Sequence, residues 1–158
     1  MKIYIMRHGE AQSFAPSDAE RPLTQYGEWQ SQQVMAELAA QVGTLDRVWV
    51  SPYLRAQQTW QAVASTLPKP HLVQTMAEIT PHGDEMDVAM LLQASAEVDG
   101  FDSILIISHL PLVGYLAATL VPEIQPPMFA TSSVLAIDYD LQAKRGELLW
   151  HQFAPDAE

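Results

Sequence analysis

The chain has 158 residues, 48% of them hydrophobic, enough for one domain (residues 1–158) around one core. Its formal net charge is −11, from 19 acidic against 8 basic side chains, which argues against nucleic acid or an anionic membrane as partner, since both need clustered Lys and Arg. It has no cysteine, so disulfides and thiolate metal sites are excluded; with no secretory signal pattern and no apolar run near the ~20 residues of a membrane span, a soluble cytoplasmic protein is expected.

Short β-like runs alternate with helical patterns. Residues 2–6 (KIYIM) are β-branched and aromatic, as in a buried strand. A loop containing Asp18, Glu20, Arg21 and Pro22 follows. Thr24 can cap a helix that runs to about Val42 and stops at Gly43. Residues 45–50 form a second strand. Ser51-Pro52 then reads as an N-cap with proline in the first helical position, opening a helix to about Leu67. Residues 72–75 suggest a short strand and residues 84–98 a helix. Residues 103–108 (SILIIS) give the strongest strand signal, followed by a helix over residues 110–120. Residues 133–139 and 147–153 suggest an antiparallel edge hairpin turning through Gly146, and the tail from Pro155 to the end is expected to fray. The alternation predicts an α/β fold: a three-layer α/β/α sandwich on a mostly parallel sheet.

In such sheets ligands bind at the carboxyl ends of the strands. The first strand is followed by Arg7 and His8, the second by Ser51 and then Arg55, and SILII by Ser108 and His109. Two arginines and two histidines are therefore predicted to meet on one rim, near two helix N-termini. Such a set suits a phosphoryl group: Arg offers planar donors to its oxygens, and His offers a nucleophilic nitrogen or, protonated, another donor. The other three histidines carry no comparable signal. His71 lies in a proline-flanked loop, His82 in the loop after Pro81, and His151 on the last strand. No two histidines have metal-site spacing, so neither metal nor other cofactor is expected.

Arg7-His8-Gly9, Pro22-Leu23-Thr24-x-x-Gly27, Ser51-Pro52-x-x-Arg55-Ala56-x-Gln58-Thr59 and Ser108-His109 stand in an order that resembles the histidine phosphatase (phosphoglycerate-mutase-like) superfamily across nearly the whole chain. The compact length, the run from Ser17 to Thr24, the stretch from Ile107 to Leu116 and Pro126-Pro127-Met128-Phe129-x-Thr131-Ser132 are similar to its bacterial phosphohistidine-phosphatase branch, which lacks large helical lids. The resemblance implies that His8 attacks phosphorus and becomes a covalent phosphohistidine, which water hydrolyses. Arg7, Arg55 and His109 would hold the phosphoryl oxygens. Arg21 is either a further substrate contact or the partner of Asp18 or Glu20 in a loop ion pair. Glu78 is either a general acid or an acidic rim residue, and Glu10 either acts beside His8 or accepts a loop hydrogen bond.

The implied substrate is a histidine-phosphorylated protein, such as a histidine phosphotransfer domain or a phosphocarrier protein, with inorganic phosphate as product. Two alternatives stay open at this point. One is a small-molecule phosphomonoesterase or mutase that depends on Glu78; the other is a non-catalytic phosphoprotein-binding module.

Overall fold

The computed structural model describes residues 1–156. The chain runs β1 (Lys2–Arg7), α1 (Gln25–Val42), β2 (Arg47–Val50), α2 (Leu54–Ala64), β3 (Leu72–Thr75), α3 (Glu85–Asp99), β4 (Ser103–Ser108), α4 (Leu112–Leu120), β5 (Val134–Asp140) and β6 (Arg145–Gln152). Two 3₁₀ turns, Asp18–Glu20 and Ala77–Ile79, lie in the connections.

All six strands form one sheet, ordered β3-β2-β4-β1-β5-β6. β3, β2, β4 and β1 pair in parallel, while β5 and β6 add an antiparallel edge. Alternation along β1 explains the layering. Ile3 and Ile5 face α3 and α4, packing with Leu92, Leu112 and Leu116. Tyr4 and Met6 face α1 and α2, packing with Val34, Met35 and Val63. A sheet covered on both faces needs apolar residues at both parities of its central strands, and that is why KIYIM and SILII are nearly continuous apolar runs. The expected α/β/α sandwich with an antiparallel edge hairpin is therefore the observed fold.

Helix ends follow their caps. Thr24 Oγ1 accepts from Gly27 N at 2.9 Å, and Asp84 accepts from Met86 N and Asp87 N. Gly43, with φ 62°, ends α1. Three expectations fail locally. α2 begins at Leu54 instead of after Ser51, because the Ser51 hydroxyl bonds Tyr53 N and the His109 ring and residues 51–53 form a turn. The edge hairpin turns over residues 141–144, not through Gly146. Asp140 Oδ1 accepts from Gln142 N and Ala143 N, which closes the turn early. Gly146 lies inside β6 opposite Tyr139, where a Cβ would come within 2.6 Å of Ile137 Cγ2. The tail does not fray at its start: Gln30 Nε2 donates to Pro155 O at 3.0 Å and Tyr26 OH to Asp156 Oδ1 at 3.3 Å. Residues 157 and 158 of that expected frayed segment lie outside the described residues.

The loop after β1 crosses the start of α1 with no room for a side chain between them. A Cβ on Gly27 would lie 2.2 Å from Glu10 O and 2.7 Å from Glu10 N, both backbone atoms. Gly27→Ala is expected to push the loop away from α1 and cost about 1–3 kcal/mol. A urea midpoint unchanged from wild type would contradict that close approach.

Candidate active site

The strand register brings the predicted residues to one level. Arg7 pairs with Ser108 and Val50 with Ile107, so β1, β2 and β4 end side by side. His8 N donates to Ser108 O at 3.0 Å and Ser51 N to Ile107 O at 3.1 Å, extending the ladder one residue past the strands. His8, Arg55 and His109 converge there, each under 10% exposed, with Arg7 entering beside His8.

His8 is held in one tautomer. Its Nδ1 lies 2.7 Å from Gly9 O, and only an N–H can satisfy that contact, so Nε2 carries the lone pair. Arg55 Nε donates to that lone pair at 3.3 Å. The Gly9 peptide is fixed in turn: Gly9 N donates to Thr59 Oγ1 at 3.0 Å, and Thr59 donates to Arg55 O at 2.7 Å. On the other side Ser132 N, at φ 64°, donates to both Arg7 O and His8 O at 3.1 Å.

His109 packs 4.9 Å from the His8 ring, centroid to centroid, and edge-on to Tyr53 at 5.1 Å. The Arg55 guanidinium sits 5.0 Å from the centre of the Tyr53 ring. His109 Nε2 bonds Ser51 Oγ at 2.7 Å. If the hydroxyl donates there, Nδ1 carries the hydrogen and can donate to an anion. Arg7 Nη1 donates to Phe129 O at 2.9 Å, which anchors the guanidinium. Among the described residues, only Arg7 Nε and His109 Nδ1 are buried side-chain nitrogens without a hydrogen-bond partner. Buried polar groups are almost always paired, and both exceptions fall in this cluster.

Burial first, then the Arg55 and Arg7 charges, lower the His8 pKa from 6.5 to about 4, although the Gly9 carbonyl opposes this. Burial, followed by the neighbouring His8 and Arg55, lowers His109 to about 2. Both rings are neutral near pH 7. A phosphoryl dianion would pull both pKa values back up. Because the folded pKa is depressed, the unfolded chain binds more protons below its ordinary pKa of 6.5. Stability is therefore full above about 6.5 and falls as pH drops toward the folded values. His8 alone should cost about 2 kcal/mol between pH 7 and pH 5. Urea melts should show a smaller loss over that interval in His8→Asn than in wild type; equal losses would contradict the neutral buried ring.

The remaining candidates sort by contact. Arg21 makes the loop ion pair: its Nε donates to Asp18 Oδ1 at 2.8 Å and its Nη1 to Gln12 O at 3.1 Å, and its charge also reaches His8. Glu10 accepts from Thr24 Oγ1 at 3.0 Å, a loop bond. Glu78 is exposed on the turn Ala77–Ile79, which Ser108 Oγ ties to β4 through Ile79 O at 2.7 Å. His71 pairs with Asp46 at 3.1 Å, His82 is exposed, and His151 packs between Phe129 and Phe153. Sequence reasoning missed the part played by Asp18, which accepts from Arg55 as well as Arg21, and the linking bonds of Ser51 and Thr59. Their only signal was a place in the ordered motifs. No group of three or more His, Cys, Asp or Glu among the described residues is arranged to hold a metal.

Residues 3–88 match the model of the histidine phosphatase superfamily (branch 1). Together with this fold and rim, that match defines the class: the chain belongs to the histidine phosphatase superfamily. Over 155 residues it is 43% identical to the phosphohistidine phosphatase SixA of Escherichia coli (strain K12), covering 98% of this chain and 94% of that one. It is 38% identical to the SixA homolog of Haemophilus influenzae over 162 residues, covering 98% and 97% of the two chains. A solved structure of the protein histidine phosphatase SixA complexed with tungstate superposes with a TM-score of 0.91 at 42% identity, covering 97% of each chain. The α-ribazole phosphatase of Shigella flexneri shares the fold at 22% identity, with a TM-score of 0.71 over 98% of this chain and 96% of that one.

Proposed function

We propose that the protein is a phosphohistidine phosphatase acting on histidine-phosphorylated proteins, with His8 as its nucleophile. The observation that carries the reading is the neutral His8 ring, its Nδ1 fixed on Gly9 O and its Nε2 lone pair set among Arg7, Arg55 and His109. Nε2 attacks phosphorus as the P–N bond to the substrate imidazole breaks, and that imidazole takes a proton. Water then attacks the phosphorylated His8, releasing inorganic phosphate and the neutral ring. Arg7, Arg55 and His109 hold the three oxygens and offset the charge gathered in each transition state. The similar SixA has been solved complexed with tungstate, a tetrahedral oxyanion like phosphate, which supports an oxyanion as ligand.

A leaving imidazole needs less acid assistance than an alcohol, so Glu78 is assigned no essential part. The rim supports a macromolecular substrate. Beside it lies an uncharged groove lined by Leu110, Pro111, Tyr115, Pro127 and Met128, with Met128 75% exposed. It adjoins the pocket through Phe129 O, which holds Arg7, and a phosphohistidine carried on a folded protein would bring apolar surface against it. We assign residues 1–158 to one catalytic domain; among the described residues no helix is long and apolar enough to cross a membrane.

The test is phosphate release from a phosphorylated histidine phosphotransfer domain or phosphocarrier protein, beside phosphoramidate and a sugar phosphate. The reading expects turnover of the phosphohistidine protein and of phosphoramidate, with Glu78→Gln close to wild type on both. Preference for the sugar phosphate, with loss in Glu78→Gln, would establish the phosphomonoesterase alternative instead. Met128→Asp should lower kcat/KM for the protein substrate about tenfold and leave phosphoramidate unchanged. Equal effects on both would contradict docking at the groove.

A further inference from the structure

Asp18 places a negative charge in a pocket built to receive anions. Its carboxylate bridges two guanidiniums: Arg55 Nη2 donates to Oδ2 at 3.2 Å, and Arg21 Nε donates to Oδ1 at 2.8 Å. The backbone of the same residue does a different job. Asp18 O accepts from Arg55 Nη1 at 2.7 Å, the shorter of the two contacts to that guanidinium. Arg55 orientation is thus fixed mainly by the main chain, through the turn Asp18–Glu20, so the carboxylate is available for another role.

That role follows from charge. Arg7, Arg21 and Arg55 all act on His8, and both histidines are neutral. Three guanidiniums and one carboxylate leave two net positive charges, which match a phosphate dianion. Without Asp18 the pocket would hold three, and product phosphate would leave more slowly.

We propose that Asp18 is a charge-balancing residue, which holds Arg21 and Arg55 together through its carboxylate and weakens the pocket's grip on inorganic phosphate so that product is released. The inference rests on the phosphatase reading for its purpose, but its physical content, the affinity for phosphate, is measurable without turnover. Asp18 is 53% exposed while Arg55 is 4% exposed. Solvent therefore screens much of the carboxylate's effect, and the expected change is about three- to tenfold rather than hundreds.

The experiment is calorimetric titration of inorganic phosphate into wild type, Asp18→Asn, Arg21→Gln and the double variant, at low and at high salt. Asparagine keeps a side-chain acceptor and leaves the main-chain carbonyl in place. Asp18→Asn should bind phosphate three- to tenfold more tightly, with the gain shrinking at high salt. Arg21→Gln should bind it more weakly by a similar factor. The double variant, with two net positive charges restored, should return close to wild type. In steady-state assays with phosphoramidate, Asp18→Asn should show the same tightening in the Ki of phosphate, and its kcat should fall more than its kcat/KM because product release is slowed. Unchanged or weaker phosphate binding in Asp18→Asn overturns the proposal, as does a double variant weaker than either single one, since that is the pattern of a carboxylate that only positions the arginines. Tighter binding in Asp18→Asn beside a wild type that hydrolyses no phosphohistidine would uphold the charge balance and reject the enzymatic reading; active wild type without tighter binding would do the reverse.

Discussion

Replacing His8 with asparagine is expected to lower turnover of phosphoramidate and of a phosphohistidine protein by about 10⁴- to 10⁶-fold, the scale on which enzymes lose an attacking residue. Asparagine nearly fills the same space and can still donate to Gly9 O, so the pocket should keep its shape. What it lacks is a basic nitrogen at the position of Nε2. His109 is not a substitute, because its Nε2 is committed to Ser51 Oγ at 2.7 Å. A residual rate within tenfold of wild type, in a variant with wild-type phosphate affinity, would remove His8 from the chemistry.

Arg55 gives the second large effect. Its Nε reaches His8 Nε2, and its Nη atoms reach Asp18, so one side chain links the proposed nucleophile to the rim. Losing it should lower the rate by about 10²–10³, as for removal of one donor to a developing oxyanion. Arg55→Lys should recover little, since an ammonium cannot place planar donors on His8 and Asp18 together. The variant also carries a pH signature. The Arg55 charge helps hold the His8 pKa down, so the acid limb of kcat/KM should move to higher pH in Arg55→Ala. A rate loss with no movement of that limb would mean that Arg55 does not act on His8.

Much of this was legible in the residues. Central strands covered on both faces must be apolar at both parities, so KIYIM and SILII read as strands without ambiguity. In a parallel sheet their carboxyl ends share one rim, which brought His8 and His109 together from 101 positions apart in the chain. The misses around the site share one cause: polar side chains whose partners are distant in sequence. Ser51 has the chemistry of an N-cap, but its hydroxyl is drawn to His109, and α2 starts three residues later. Asp18 has an obvious local partner in Arg21, and nothing in the sequence spacing shows that Arg55 folds over the same carboxylate. Thr59 reads as an ordinary helical residue until its hydroxyl is seen between Gly9 N and Arg55 O. Gly27 was visible only as part of a motif; the backbone of Glu10 supplies its physical reason.

The proposed bond from His8 Nε2 to phosphorus is tested most directly by chemical trapping. The protein would be mixed with a ³²P-labelled phosphohistidine protein for milliseconds and quenched in alkali, where phosphohistidine survives, and the labelled peptide then sequenced by mass spectrometry. One labelled site is expected, His8, which forms and decays at rates compatible with turnover and is missing in His8→Asn. Label on His109 or another side chain, or phosphate release with no labelled enzyme at any time, would contradict it.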